Sequence, residues 1–207
     1  MADDMWAAVH AERRALADDL AGLTADEWAT PSLCTGWTVH DVLAHLTATA
    51  ATTPPRFFAK LASSGFRFVR MADKDVAAVG ARGPEATLQQ FRTLETSTAS
   101  PPGPKLSWMG EALVHEEDIR RPLGLAHAYP TDWVTRVLDF YAGSNILIGG
   151  KRRVAGLSLK ATDADWSRGE GEPVEGPAMS LLMATAGRKA AIDDLTGPGL
   201  PTLRQRP

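Results

Sequence analysis

Apolar residues recur at three- and four-residue intervals from the beginning of the chain. Trp6, Val9, Leu16, Leu20 and Leu23, with alanines between them, form the buried face of a helix predicted over Trp6–Leu23. The connection LTADEWATPSLCTG is rich in helix breakers, and Thr24 with Glu27 matches a capping box for one short turn. The next helix has a clear start. Thr38 stands at the N-cap, Asp41 three residues on can reach back to it, and Trp37 is placed to staple against Val42; Val39, Val42, Leu43 and Leu46 supply the apolar stripe. Pro54 and Pro55 end this helix and open PRFFAKLASSGFRFVRMA, a helical segment interrupted near Gly65. Leu88, Phe91 and Leu94 keep helical register in EATLQQFRTLETS. Two further helices follow: KLSWMGEALVHEEDIRR, closed by Pro122 and Gly124, and TDWVTRVLDFYAGSNILIG, opened by Thr131 or Asp132.

Beyond Gly149 the pattern changes. Leu157, Leu159 and Ala161 alternate with Ser158 and Lys160, the two-residue period of a half-buried strand; WSRGEGEPVEG reads as turn and strand, and GPAMSLLMATAGRKAAIDDL returns to helix. The expected fold is therefore mainly α: a helical bundle over residues 1–149, with a small α+β region over 150–207 packed on it.

Length and charge narrow the function. At 207 residues the chain supports one sizeable core, or one domain with a smaller appendage, and a net charge of −3 with acids and bases mixed leaves no basic stripe for nucleic acid. The single cysteine, Cys34, excludes an internal disulfide framework and fits a reducing compartment. MADDMWAAVHAERRAL lacks the charge and apolar core of a signal peptide, and no apolar run is long enough to span a bilayer. The expectation is a cytoplasmic protein, monomer or homodimer, that acts on a small molecule without nucleic acid or membrane.

Chemistry concentrates in two helices. On KLSWMGEALVHEEDIRR, Glu111 and His115 lie one turn apart with Asp118 on the same side and Trp108 at its border, while Met109 and Leu113 point away. Such a pair can offer one oxygen and one nitrogen to a divalent ion, and His45, at the margin of its own apolar stripe, is the candidate third ligand. Two nitrogens and one oxygen with an open position make the ligand set of a catalytic zinc. Two plainer readings stand beside it. Glu111 to Asp118 can be a solvated helix face, and His45 a core histidine hydrogen-bonded to a carbonyl or to Asp41. His10, His40 and His127 read as surface residues. Cys34 reads as a small half-buried hydrophobe with no positioned base, and GEGEPVEG as a turn without the lysine of a phosphate loop.

The segments LTADEWATPSLCTGWTVHDVLAHLTA and GEALVHEEDIRRPLG resemble the metal-binding domain of the mycothiol-dependent maleylpyruvate isomerase family, within the DinB-like superfamily of four-helix bundles. LSLKATDADWSRGEGEPVEGPAMSLLMATAGR resembles the C-terminal part of actinobacterial members, so the likeness runs over almost the whole chain. The resemblance implies a DinB-like up-and-down four-helix bundle holding a divalent metal, zinc or nickel, on His45, Glu111 and His115. Beside these ligands, Asp41 is a candidate to hold His45 in its tautomer, and Asp118 either orients His115 or is a solvated acid. The resemblance further implies mycothiol as a thiol cosubstrate, activated by the metal to attack a small electrophile in a transferase or isomerase. A DinB-like module that binds a metal or ligand without turnover is the alternative of a different class.

Overall fold

The computed structural model describes residues 2–146 and 148–207. The chain divides into two compact units, one ending at His127 and the other beginning at Ala128.

The first unit contains α1 (Ala2–Asp19), α2 (Ala25–Trp28), α3 (Val39–Ala50), α4 (Pro54–Ser63), α5 (Phe68–Gly80), α6 (Pro84–Thr93) and α7 (Lys105–Leu123). Four of these close a ring: α1 packs on α6 and α7, and α3 packs on the same two, while α5 lies along α3. This is a four-helix bundle, and its core follows from the apolar stripes of the sequence. Leu16 of α1 and Leu20 just after it, Val39, Val42, Leu43 and Leu46 of α3, Leu88 and Phe91 of α6, and Ile119 of α7 form one buried cluster with Trp28.

Both expected capping boxes are present. The Thr24 hydroxyl accepts from the Glu27 N–H, and that of Thr38 from the Asp41 N–H, while each acid reaches back to its N-cap backbone. Trp37 packs against the cluster that contains Val42. The first helix stops at Asp19, earlier than the periodicity suggested; Leu23 still packs on the core, but from a turn in which Gly22 has a φ of 86°. The break near Gly65 separates α4 from α5. Gly124, left-handed with a φ of 67°, ends α7, whose last turn accommodates Pro122.

The second unit contains α8 (Thr131–Gly143), α9 (Gly150–Arg153), β1 (Leu157–Ala161), β2 (Ser167–Arg168), β3 (Glu172–Gly176), α10 (Ala178–Thr185), a 3-10 turn (Lys189–Asp194) and α11 (Leu200–Gln205). The sheet order is β2-β1-β3, with β1 antiparallel to β2 and parallel to β3. Leu157, Leu159 and Ala161 are buried and Lys160 is exposed, as the alternation predicted. α8 packs on α10, so the compact unit begins before this helix, whereas the residue pattern changes only after Gly149. α8 is also shorter than the pattern indicated, ending at Gly143; of the residues that followed in the expected helix, Leu147 lies outside the described ones. The mainly α fold with a small α+β region is the one expected. No helix among the described residues is long and apolar enough to cross a membrane.

Candidate metal centre

α3 and α7 are neighbours in the ring, and their packing brings together side chains that lie far apart in sequence. The capping box fixes where α3 starts, and His45 follows one turn after Asp41. Its Nε2 lies 2.8 Å from Glu111 Oε1. One turn along α7 from Glu111, His115 places its Nε2 at 3.8 Å from Glu111 Oε2. Ligand atoms of His45, Glu111 and His115 thus all lie within 4.8 Å of one another. The two imidazoles meet edge to face at 4.9 Å between centroids, and the Trp37 ring lies 5.0 Å from that of His45.

The far side of His115 is equally well defined. Its Nδ1 lies 2.9 Å from Oδ2 of Asp118, a fully buried carboxylate. A carboxylate only accepts, so Nδ1 carries a proton and Nε2 is the nitrogen that faces Glu111 and His45. Asp41 behaves differently. Its carboxylate accepts from the Thr38 N–H at 2.9 Å and the Thr38 hydroxyl at 2.7 Å, and it makes no hydrogen bond to His45. The expected orienting role therefore fits Asp118 and not Asp41, because a residue at this position of a capping box points its carboxylate back toward the helix start.

The solvated-face reading of α7 is overturned. Glu116, Glu117 and Asp118 are all buried, because α7 packs on both α1 and α3. Glu116 accepts from Arg120 Nη1 at 2.8 Å, and Arg120 Nε donates to Asp19 on α1 at 2.7 Å. Nor are the other histidines free surface groups. His10 contacts the Ser97 carbonyl, His40 the Thr87 hydroxyl and His127 the Glu12 carboxylate, each half-buried.

Burial works against protonation of His45, but the charge and hydrogen bond of Glu111 outweigh it and hold the imidazole pKa above its ordinary value. Burial likewise favours a neutral Glu111, yet His45 and His115 draw its carboxyl down to about 2. The oxygen and nitrogen atoms of these groups are also the ones a cation would take.

Cys34 is the residue that sequence reasoning missed. The loop carrying it is clamped by backbone bonds from Ser32 to Trp37, from Val39 to Thr30 and from Leu33 to the Asp118 carbonyl. Its Sγ lies 3.0 Å from Asp118 Oδ2 and 3.5 Å from His115 Nδ1, so Cys34, His115 and Asp118 form a second group with metal-ligating potential. Nothing in local spacing announces a contact made across such a sequence separation. Thr49 did carry a signal, one turn after His45, and its hydroxyl donates to Glu111 Oε1 at 3.2 Å.

A shallow depression adjoins Glu111, with Trp6, Arg13, Thr49 and Trp108 among its walls. Arg13 is anchored by the carbonyls of Leu94 at 3.2 Å and Ser97 at 2.7 Å; burial lowers its pKa to about 10 against the pull of Glu116 and Glu111, so it remains a cation at neutral pH. Fully buried Glu116 also lines this depression, and its Oε1 has no hydrogen-bond partner among the described residues. Aromatic rings and charged side chains thus meet beside the potential ion site.

Comparison with known proteins agrees with this architecture. Residues 9–102 match the family model of the mycothiol maleylpyruvate isomerase N-terminal domain. Among solved structures, the chain is similar to the crystal structure of the mycothiol-dependent maleylpyruvate isomerase, with a TM-score of 0.59, 14% identity, and coverage of 96% of this chain and 93% of that one. A histidine-to-alanine mutant of the mycothiol-dependent maleylpyruvate isomerase matches equally well, at 0.59 and 13% identity with the same coverage. No curated protein matches the chain. The four-helix ring and the motifs around His45 thus accompany a match of residues 9–102 to the N-terminal domain of the mycothiol maleylpyruvate isomerase family, the family that the sequence motifs resemble.

Proposed function

We propose that this protein is a cytoplasmic, divalent-metal-dependent enzyme that uses a low-molecular-weight thiol, mycothiol by kinship, to transfer to or isomerise a small electrophile. The observation that carries the reading is the convergence of His45, Glu111 and His115 from two helices, with Asp118 turning one imidazole nitrogen toward the other ligands. The donor set fits the group. Two imidazole nitrogens and a carboxylate oxygen suit zinc or a similar ion and leave a coordination position open.

When bound, such an ion lowers the pKa of a coordinated cysteine-like thiol from its usual ~8.5 and so supplies a thiolate nucleophile at neutral pH. The protein's own residues prepare the rest. Asp118 fixes the His115 tautomer, Thr49 holds one oxygen of Glu111, and Trp37 packs beside His45. Arg13, with Trp6 and Trp108, places a cation and two aromatic rings beside Glu111. The Cys34 thiol is positioned as a donor to Asp118 and adds to the set of bonds that orient His115.

The test is metal analysis of the purified protein and of protein loaded with Zn²⁺ or Ni²⁺. The expected result is close to one equivalent, lost in His45→Ala and in His115→Ala. A wild-type protein that stays metal-free after loading would overturn the reading. If metal binds but mycothiol accelerates no reaction across a panel of electrophiles, the centre stands and the enzymatic assignment fails.

A further inference from the structure

The connection between α4 and α5 differs from the rest of the bundle. None of the ten residues of α4 is buried, although Phe57, Phe58 and Leu61 give it an apolar side. Around the turn the exposed apolar residues are large and clustered: Phe58 is 59% exposed, Phe66 78%, Phe68 59% and Val69 73%. Phe66 also adopts a left-handed backbone, with φ at 57°, directly after left-handed Gly65. A bulky side chain disfavours this conformation, yet the ring gains no burial from it. Single exposed apolar residues are ordinary, but a contiguous group of this kind marks a contact surface.

Charge identifies the occupant. Residues 42–72 contain no aspartate or glutamate, while Arg56, Lys60, Arg67 and Arg70 fall within them, in a chain whose net charge is −3. Lys60 is paired with Asp75. Arg56, Arg67 and Arg70 are exposed and form no ion pair among the described residues. The turn is thus an aromatic tip flanked by arginines and set against the overall charge of the chain. A second copy docking here through a two-fold axis would bring the same arginines face to face, which disfavours self-association. The apolar side chains project from a helix–helix turn, and projecting rings flanked by basic side chains suit insertion among headgroups.

We propose that the α4–α5 turn docks the protein on an anionic phospholipid surface, with Phe66, Phe68 and Val69 entering the interface and Arg67 and Arg70 meeting the headgroups. This is attachment at a surface; it needs no spanning helix, and it departs from the membrane-free expectation drawn from hydropathy. Because α5 packs along α3, docking through this turn would hold the helix that carries His45 close to the lipid.

The test is co-sedimentation of the full-length protein with extruded vesicles, either phosphatidylglycerol and phosphatidylcholine in equal parts or phosphatidylcholine alone. The expected result is pelleting with the anionic vesicles only, weakened by added salt. The Arg67→Glu/Arg70→Glu and Phe66→Ser/Phe68→Ser variants should each bind at least about tenfold more weakly. These positions are exposed, so the variants should melt like the wild type. The proposal is overturned if the wild type stays in solution with both vesicle types, or if neither double variant changes the binding. It is also overturned if the wild type is a dimer that Phe66→Ser/Phe68→Ser converts to monomer, which would make the tip a self-interface. Binding of polyglutamate at the tip without vesicle binding would indicate an acidic protein partner and would overturn it equally.

Discussion

Replacing Asp118 by asparagine probes the proposed centre without touching any of its three ligands. Asp118 is fully buried and accepts from His115 Nδ1 at 2.9 Å and from Cys34 Sγ at 3.0 Å. An asparagine that presents its oxygen to the ring keeps one hydrogen bond but loses the charge. One that presents its NH2 forces Nδ1 to accept, which moves the ring proton to Nε2, where it occupies the lone pair directed at Glu111. Loss of such an orienting carboxylate typically weakens metal affinity by about 10–100-fold, or about 1.4–2.7 kcal/mol. Zn²⁺ affinity measured by competition with a chromophoric chelator should fall by this amount in Asp118→Asn, while the apo protein still melts cooperatively. Asp41→Ala is the control. That carboxylate belongs to the α3 cap, so its removal should lower stability by about 1 kcal/mol and leave Zn²⁺ affinity unchanged. A folded Asp118→Asn protein that binds Zn²⁺ as tightly as the wild type would refute the reasoning, and so would Asp41→Ala weakening it as much as Asp118→Asn.

Three further perturbations test separate parts of the structure. Cys34→Ser preserves a donor toward Asp118, so Zn²⁺ affinity should stay close to the wild-type value; a drop of about tenfold or more would move the centre to Cys34, His115 and Asp118. Leu43→Ala empties a fully buried position in the cluster shared by α1, α3, α6 and α7, and should cost about 2–5 kcal/mol in urea denaturation of the helical unit. In the second unit, a Cβ on Gly150 would clash with the Tyr141 carbonyl oxygen and lie 3.1 Å from Thr185 Cγ2. Gly150→Ala should therefore destabilise that unit by about 1–3 kcal/mol, measurable as earlier local unfolding in hydrogen exchange.

The parts of the fold legible in the sequence are those set by local physics. The start of α3 could be read to the residue because N-cap, reaching acid and staple lie within a few positions of one another. The strand at Leu157 was equally plain, since alternation reports one buried face directly. The pair Glu111 and His115 was visible because one helical turn separates them, but its meeting with His45 depends on the packing of α3 on α7, which periodicity does not encode; there the family resemblance supplied what spacing left open. Cys34 escaped for the same reason more completely. It sits in a loop, where neither period applies, and its partners are on α7.

The buried acids of α7 show why hydropathy misled. A helix with one neighbour keeps a solvated face, and a run of four charges such as Glu116, Glu117, Asp118 and Arg120 would normally occupy it. α7 has two neighbours in the ring, so these groups are buried and must be answered by charges on adjacent elements. Arg120 binds Glu116 within its own helix and Asp19 on α1, while Glu12 on α1 meets His127 just beyond α7. Such pairs add little net stability over apolar residues of the same size, but they define register. Sliding α7 by one turn against α1 would separate Arg120 from Asp19, and removing a partner from a buried pair costs about 3–5 kcal/mol. The same register sets Glu111 and His115 opposite His45. The network between α1 and α7 thus supports the proposed metal centre from the opposite side of the helix, without any of its charges entering that centre.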